Sequence, residues 1–131
     1  MNILFVSPHM ITGGAERMIT DLGKGLLERG HSVGIATSRG HLAEELQDAG
    51  ANVHLCLDME ARRPLSMIRG GWWLRSVISE GQYSLVNAHS LFTSAMARFG
   101  GWASRRPVKY VYTLHLLEDP RAYRYLGPIV N

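Results

Sequence analysis

The feature that most constrains this chain is its opening. A short apolar run, Asn2-Ile3-Leu4-Phe5-Val6-Ser7, passes through Pro8-His9-Met10-Ile11-Thr12 into Gly13-Gly14-Ala15-Glu16-Arg17 and then an amphipathic stretch. A strand that feeds a glycine turn and then a helix gathers unpaired backbone N–H groups and the positive end of a helix dipole at one point, which is how open α/β sheets hold anionic groups. The spacing excludes two common phosphate loops, because it contains neither Gly-x-Gly-x-x-Gly nor Gly-x-x-x-x-Gly-Lys-Ser/Thr. The turn therefore points to a third kind of α/β site.

The rest of the chain repeats this alternation. Strands are expected over 2–7, 32–37, 52–57, 85–88 and 108–113. Helices are expected from Gly14 to near Gly30, over 41–49, over 64–80 and over 91–104, with an irregular tail from Leu114 to Asn131. In the first helix Ala15, Ile19, Leu22 and Leu26 step by four, three and four, which sets them on one face. The third helix is opened by Pro64 and closed by Gly81, and Gly70-Gly71 in its middle is a point where a kink or break is expected. Short, apolar, partly β-branched strands alternating with helices predict a doubly wound, Rossmann-like parallel sheet in a three-layer αβα stack, ordered 3-2-1-4-5. At 131 residues the chain reads as a single domain, 1–131.

Composition narrows the partners. A net charge of +3 is mild and does not call for nucleic acid. The one cysteine, Cys56, has no internal partner and sits in an apolar run, so it reads as a buried, inert thiol in a reducing compartment. The N-terminal apolar run lacks a charged leader and is too short for a signal or a membrane span, so the chain reads as cytoplasmic.

In a sheet of this order, ligands bind beyond the C-terminal strand ends, beside the first strand. Three histidines, His9, His89 and His115, follow strands one, four and five and so share that rim with Gly13 and Gly14. Histidine titrates near neutral pH, donates to phosphate oxygens and can hold an acceptor hydroxyl. A single rim histidine is more simply a strand cap; three at corresponding positions favour function. No carboxylate or cysteine accompanies them at ligand spacing, which argues against a metal site. Glu16 favours its own helix dipole but repels a phosphate, so it has to point away, bind a hydroxyl, or pair with Arg17. The segment holding Arg62, Arg63, Arg69, Trp72 and Trp73 mixes basic and large apolar residues. The favoured reading is a crossover helix that packs one tryptophan on the sheet and leaves its arginines in water. The other reading is contact with an anionic membrane surface, which would place the protein at the inner face of the membrane.

With these residues in hand, the chain resembles the N-terminal, acceptor-side domain of the family 4 glycosyltransferases of GT-B fold. The resemblance rests on Ile3-Leu4-Phe5-Val6 leading to Gly13-Gly14-Ala15-Glu16-Arg17, then Leu26-Leu27-Glu28-Arg29-Gly30-His31-Ser32-Val33, Leu85-Val86-Asn87-Ala88-His89-Ser90 and Val111-Tyr112-Thr113-Leu114-His115. It implies transfer of a sugar from a nucleotide-sugar to an acceptor hydroxyl, usually with retained anomeric configuration. It implies that Gly13 and Gly14 approach the donor diphosphate, and that the catalytic His115 lies by the transferred sugar and its leaving phosphate. His89 then shapes the acceptor pocket. His9 and Glu16 join the acceptor side through the rim argument and the hydroxyl option. No metal and no cofactor beyond the nucleotide-sugar co-substrate are implied. The acceptor is a sugar or a lipid-linked acceptor, and the nucleotide-sugar is held through a C-terminal domain that is not in this sequence. The family domain also carries further strands, so this one is expected to be incomplete, inactive alone and prone to self-association through an exposed edge. The competing reading is a non-catalytic Rossmann-like module that binds a nucleotide or a protein.

Overall fold

The computed structural model describes residues 1–115 together with Arg121, Arg124 and Pro128. Five strands, β1 (Asn2–Val6), β2 (Ser32–Thr37), β3 (Asn52–Leu55), β4 (Leu85–Ala88) and β5 (Lys109–Tyr112), alternate with helices α1 (Gly14–Glu28), α2 (His41–Asp48), α3 (Pro64–Glu80) and α4 (Leu91–Ser104), and a 3-10 turn spans Leu57–Met59. The sheet is parallel and ordered β3-β2-β1-β4-β5, as expected. The register is unbroken: Asn2 to Val6 face Ser32 to Ala36 on one side, and Ile3 to Val6 face Leu85 to Ala88 on the other.

Side-chain alternation along these strands divides the core in two. Ile3, Phe5, Val33 and Ile35 pack with Ile19, Leu42 and Leu46 of α1 and α2. Leu4, Val6, Val86 and Ala88 pack with Leu74, Val77 and Ile78 of α3 and Met96 and Ala97 of α4. Complete burial of a Leu or Phe side chain contributes about 1.5–3 kcal/mol relative to exposure, so each layer is held by several such anchors.

Several expectations shift. The third strand ends at Leu55 rather than 57, because the chain turns into the 3-10 segment. Leu22 is 43% exposed, and the buried stripe of α1 is Ile19, Thr20 and Gly23. Helix α3 runs through Gly70-Gly71 without a break. The glycines form its seam with α4: a Cβ on Gly70 would meet Met96 Sδ at 2.7 Å, and one on Gly100 would stand 2.7 Å from the Gly71 carbonyl oxygen. Cys56 is half-buried rather than buried, and burial raises its thiol pKa. Past His115, the three described tail residues, Arg121, Arg124 and Pro128, are helical where an irregular tail is expected, and the rest of the tail lies outside the described residues.

Candidate functional site at the strand ends

The β1–α1 turn is positioned by its neighbour. Ser7 Oγ donates to the His9 carbonyl (2.9 Å). The Ser38 N–H donates to the Pro8 carbonyl (3.2 Å), and the Met10 N–H donates to the Arg39 carbonyl (2.7 Å). Gly40, at φ +132°, lies against Met10 so closely that any Cβ would strike the Met10 carbonyl. The loops after β1 and β2 are thus locked together at the rim.

Within that turn, Glu16 does not pair with Arg17, which instead reaches Asp21 (3.3 Å) and Glu45 (3.1 Å). The Glu16 carboxylate folds back over Gly13, where a Cβ would fall on it, and its Oε1 stands 3.5 Å from His9 Nδ1. At that separation the contact is too long for a good hydrogen bond and is an ion pair only when His9 carries a proton. The Glu16 side chain is 14% exposed and that of His9 37%, so the imidazole faces solvent from a shielded carboxylate. Gly14 has nothing within 4 Å of its Cβ position. The open approach expected of both glycines is therefore found at Gly14, while Glu16 fills it at Gly13.

Strands β4 and β5 build the second half. The His89 N–H donates to the Val6 carbonyl (3.0 Å), and the Thr113 N–H donates to the Ala88 carbonyl (3.0 Å), extending the ladder by one step past each strand. This brings His89 Nδ1 within 2.7 Å of His115 Nε2, with the rings stacked 5.1 Å apart and 18° from parallel. The Phe5 ring centre lies 5.8 Å from that of His89, tilted by 47°. Burial, with a smaller contribution from the charge of His115, lowers the His89 pKa to about 4, so His89 is neutral at pH 7. One hydrogen bond therefore joins the two rings, its donor set by their tautomers. His89 Nε2 is buried with no partner among the described residues.

The three rim histidines thus fall into two groups. His89 and His115 form a bonded pair, and His9 belongs with Glu16. Sequence reasoning missed a third group. Arg39 grips Glu60 with Nε and Nη2 at 3.3 Å each, and Ser38 Oγ donates to the same carboxylate at 3.1 Å. The hydrogen bond from Arg39 is the largest cause holding Glu60 below the ordinary carboxylate range, and the charge of His9 adds to it. The signal was available, since Ser38 and Arg39 directly follow β2 on the same rim. Among the described residues no group of three or more His, Cys, Asp or Glu side chains is placed to hold a metal ion.

The profile of the family described as Glycosyltransferase Family 4 matches residues 12–130. The chain belongs to glycosyltransferase family 4. The match takes in Gly13, Gly14, Glu16, His89 and His115 and begins after His9. Over 80 residues this family 4 chain is 30% identical to the alpha-1,3/1,6-mannosyltransferase ALG2 of Rhizomucor pusillus, covering 59% of this chain and 15% of that protein. A glycosyltransferase from Rickettsia africae ESF-5 superposes at a TM-score of 0.72 with 16% identity, covering 94% of this chain and 32% of that one. The glycotransferase of kitacinnamycin superposes at 0.58 with 13% identity, covering 98% of this chain and 34% of that one. At these identities the two structures speak for the shared fold, and this family 4 chain spans about a third of each.

Proposed function

We propose that this chain forms the acceptor side of a retaining glycosyltransferase of GT-B fold, working with a nucleotide-sugar domain outside this sequence. The observation that supports it most is the His89–His115 pair on the same strand-end rim as the open Gly14, in a family 4 domain. The bond that breaks joins the anomeric carbon to the terminal phosphate oxygen of the donor. The bond that forms joins that carbon to the acceptor oxygen, on the same face, and the acceptor proton passes to the leaving phosphate. His115, held by neutral His89, presents an N–H toward charge that develops on that phosphate, where donors count most. The N–H groups at Gly14 approach the same diphosphate. Glu16 accepts from an acceptor hydroxyl, and His9, its partner, orients it. The donor needs no metal in this reading, because backbone and imidazole N–H groups meet the phosphate charge.

The test is a titration of the 131-residue chain followed by the imidazole C–H resonances. Sugar acceptors should shift His9, His89 and His115, nucleotides alone should bind weakly, and no sugar should be transferred. Tight nucleotide binding with no response to sugars would favour a non-catalytic binding module instead. In the full-length enzyme, His115→Ala should lower kcat by about 100-fold or more, with a smaller change in KM.

A further inference from the structure

Helices α3 and α4 carry an outward surface that the sheet does not use. On α3, Ser66, Gly70, Leu74, Val77 and Ile78 face inward. The opposite arc holds Leu65, Ile68 and Trp72, which lie within about 60° of one another at 3.6 residues per turn. These three are 61%, 59% and 57% exposed, and Trp102 of α4 is 78% exposed. Trp72 and Trp102 together wall a groove of about 280 Å³ with Ala103 and Arg105. The crossover-helix reading expects one tryptophan on the core: that one is Trp73, and Trp72 is left outside.

The charge on this face is one-sided. From Ala61 to Ser79 the chain has Arg62, Arg63, Arg69 and Arg75 and no carboxylate. From Gly81 to Leu117 it has Arg98, Arg105, Arg106 and Lys109 and again none, so that Glu80 is the one carboxylate between Ala61 and Leu117. Arg69 lies along one flank of the apolar stripe, where it also bonds Asp58 (3.2 Å). Arg75 lies along the other, its guanidinium 5.0 Å over the Trp72 ring. Exposed aliphatic and tryptophan side chains flanked by arginines, with arginines in excess over carboxylates, match the boundary between acyl chains and anionic headgroups. A soluble polyanion would satisfy the arginines and leave Leu65 and Ile68 in water. Among the described residues no helix is long and apolar enough to cross a membrane, so the surface suits lying on a bilayer.

We infer that the α3–α4 face, centred on Leu65, Ile68, Trp72 and Trp102, docks onto an anionic lipid bilayer. The inference is independent of the sugar-transfer reading, since no rim histidine takes part in it. The test uses the full chain with vesicles of phosphatidylcholine alone and vesicles containing phosphatidylglycerol. The protein should sediment with the anionic vesicles, its tryptophan emission should move to shorter wavelength, and added salt should release it. Replacing Arg75→Gln and Arg105→Gln, the arginines over Trp72 and in the groove, should weaken binding about fivefold per arginine. Trp72→Ala with Trp102→Ala should abolish most of the spectral change while leaving the far-UV circular dichroism intact. Equal binding to both vesicle types, or no effect of the arginine changes, would overturn the inference. So would a dimer in solution that the tryptophan changes dissolve, because a second copy would then cover the face. Tight binding to a nucleic acid polyanion in preference to vesicles would overturn it too.

Discussion

The two helical layers flanking the sheet solve the same packing problem by opposite means. On one side α1 and α2 bury side chains such as Ile19, Leu42 and Leu46 and trade charges across their outer surface, where Lys24 and Arg17 both reach Glu45. On the other side α3 and α4 meet closely where Gly100 lies against the Gly71 backbone and Gly70 against Met96, and leave arginines and large apolar groups outside. A layer that interdigitates side chains is finished once its core is filled. A layer that packs through glycines brings two helices together without spending its bulky residues, and those remain available to something beyond the fold.

The rim, where the two layers meet, should show the largest effect. His89 has a folded pKa of about 4 against 6.5 for the free group. Its neutral form is the one the fold accepts, so no stability is lost above pH 6.5. Stability falls as pH drops from 6.5 to 4, because the unfolded chain then binds the extra proton, and the full loss is about 3 kcal/mol. Urea unfolding at pH 7 and pH 4.5 should reveal most of that difference, and His89→Leu should flatten it. A pH profile unchanged by that substitution would assign the acid sensitivity elsewhere.

Next comes the seam. Gly100→Ala should destabilise by about 2 kcal/mol, since its methyl would press on the Gly71 carbonyl and the Arg75 nitrogen, 2.7 and 3.0 Å away. The matching change on the other layer, Gly25→Ala, meets no atom within 4 Å. It should stabilise by about 0.5–1 kcal/mol through helix propensity. Opposite signs in thermal melts would sharpen the contrast between the layers, and equal signs would break it. Smallest of all, Glu45→Gln removes the exposed charge pairs of α1 and α2 and should leave the melting temperature nearly unchanged.

Much of this architecture is legible in the residues. Strand order follows from alternation and right-handed crossovers, and the spans of β2, β4, α3 and α4 follow from periodicity with Pro64 and Gly81 as stops. What a one-dimensional pattern lacks is the identity of the partner. Gly70-Gly71 reads as a weak point until Gly100 is seen opposite it. Leu22 has the right spacing for the core, yet Gly23 takes the inward position and admits Leu46, whose Cδ1 would lie 2.8 Å from a Cβ there. At the site, topology sufficed to place the histidines on one rim. It did not say that His89 and His115 would bond, because that depends on one extra residue of ladder after β4 and β5. Nor did it show Glu16 curling back over Gly13, since a side chain that folds onto its own turn has no spacing signature.

The division of charge across the sheet has a consequence for motion. From Gly14 to Asp48 the acidic residues Glu16, Asp21, Glu28, Glu44, Glu45 and Asp48 outnumber Arg17, Lys24, Arg29 and Arg39, while the α3–α4 side is almost wholly basic. The molecule is therefore a lateral electric dipole. Near any negatively charged plane it feels a torque before contact, over roughly the 8 Å screening length of physiological salt, and turns its basic flank inward. Strands lie parallel to that flank, so their carboxyl ends then open sideways, along the plane rather than into it. A rim that faces along the surface is one that reaches whatever stands upright on it.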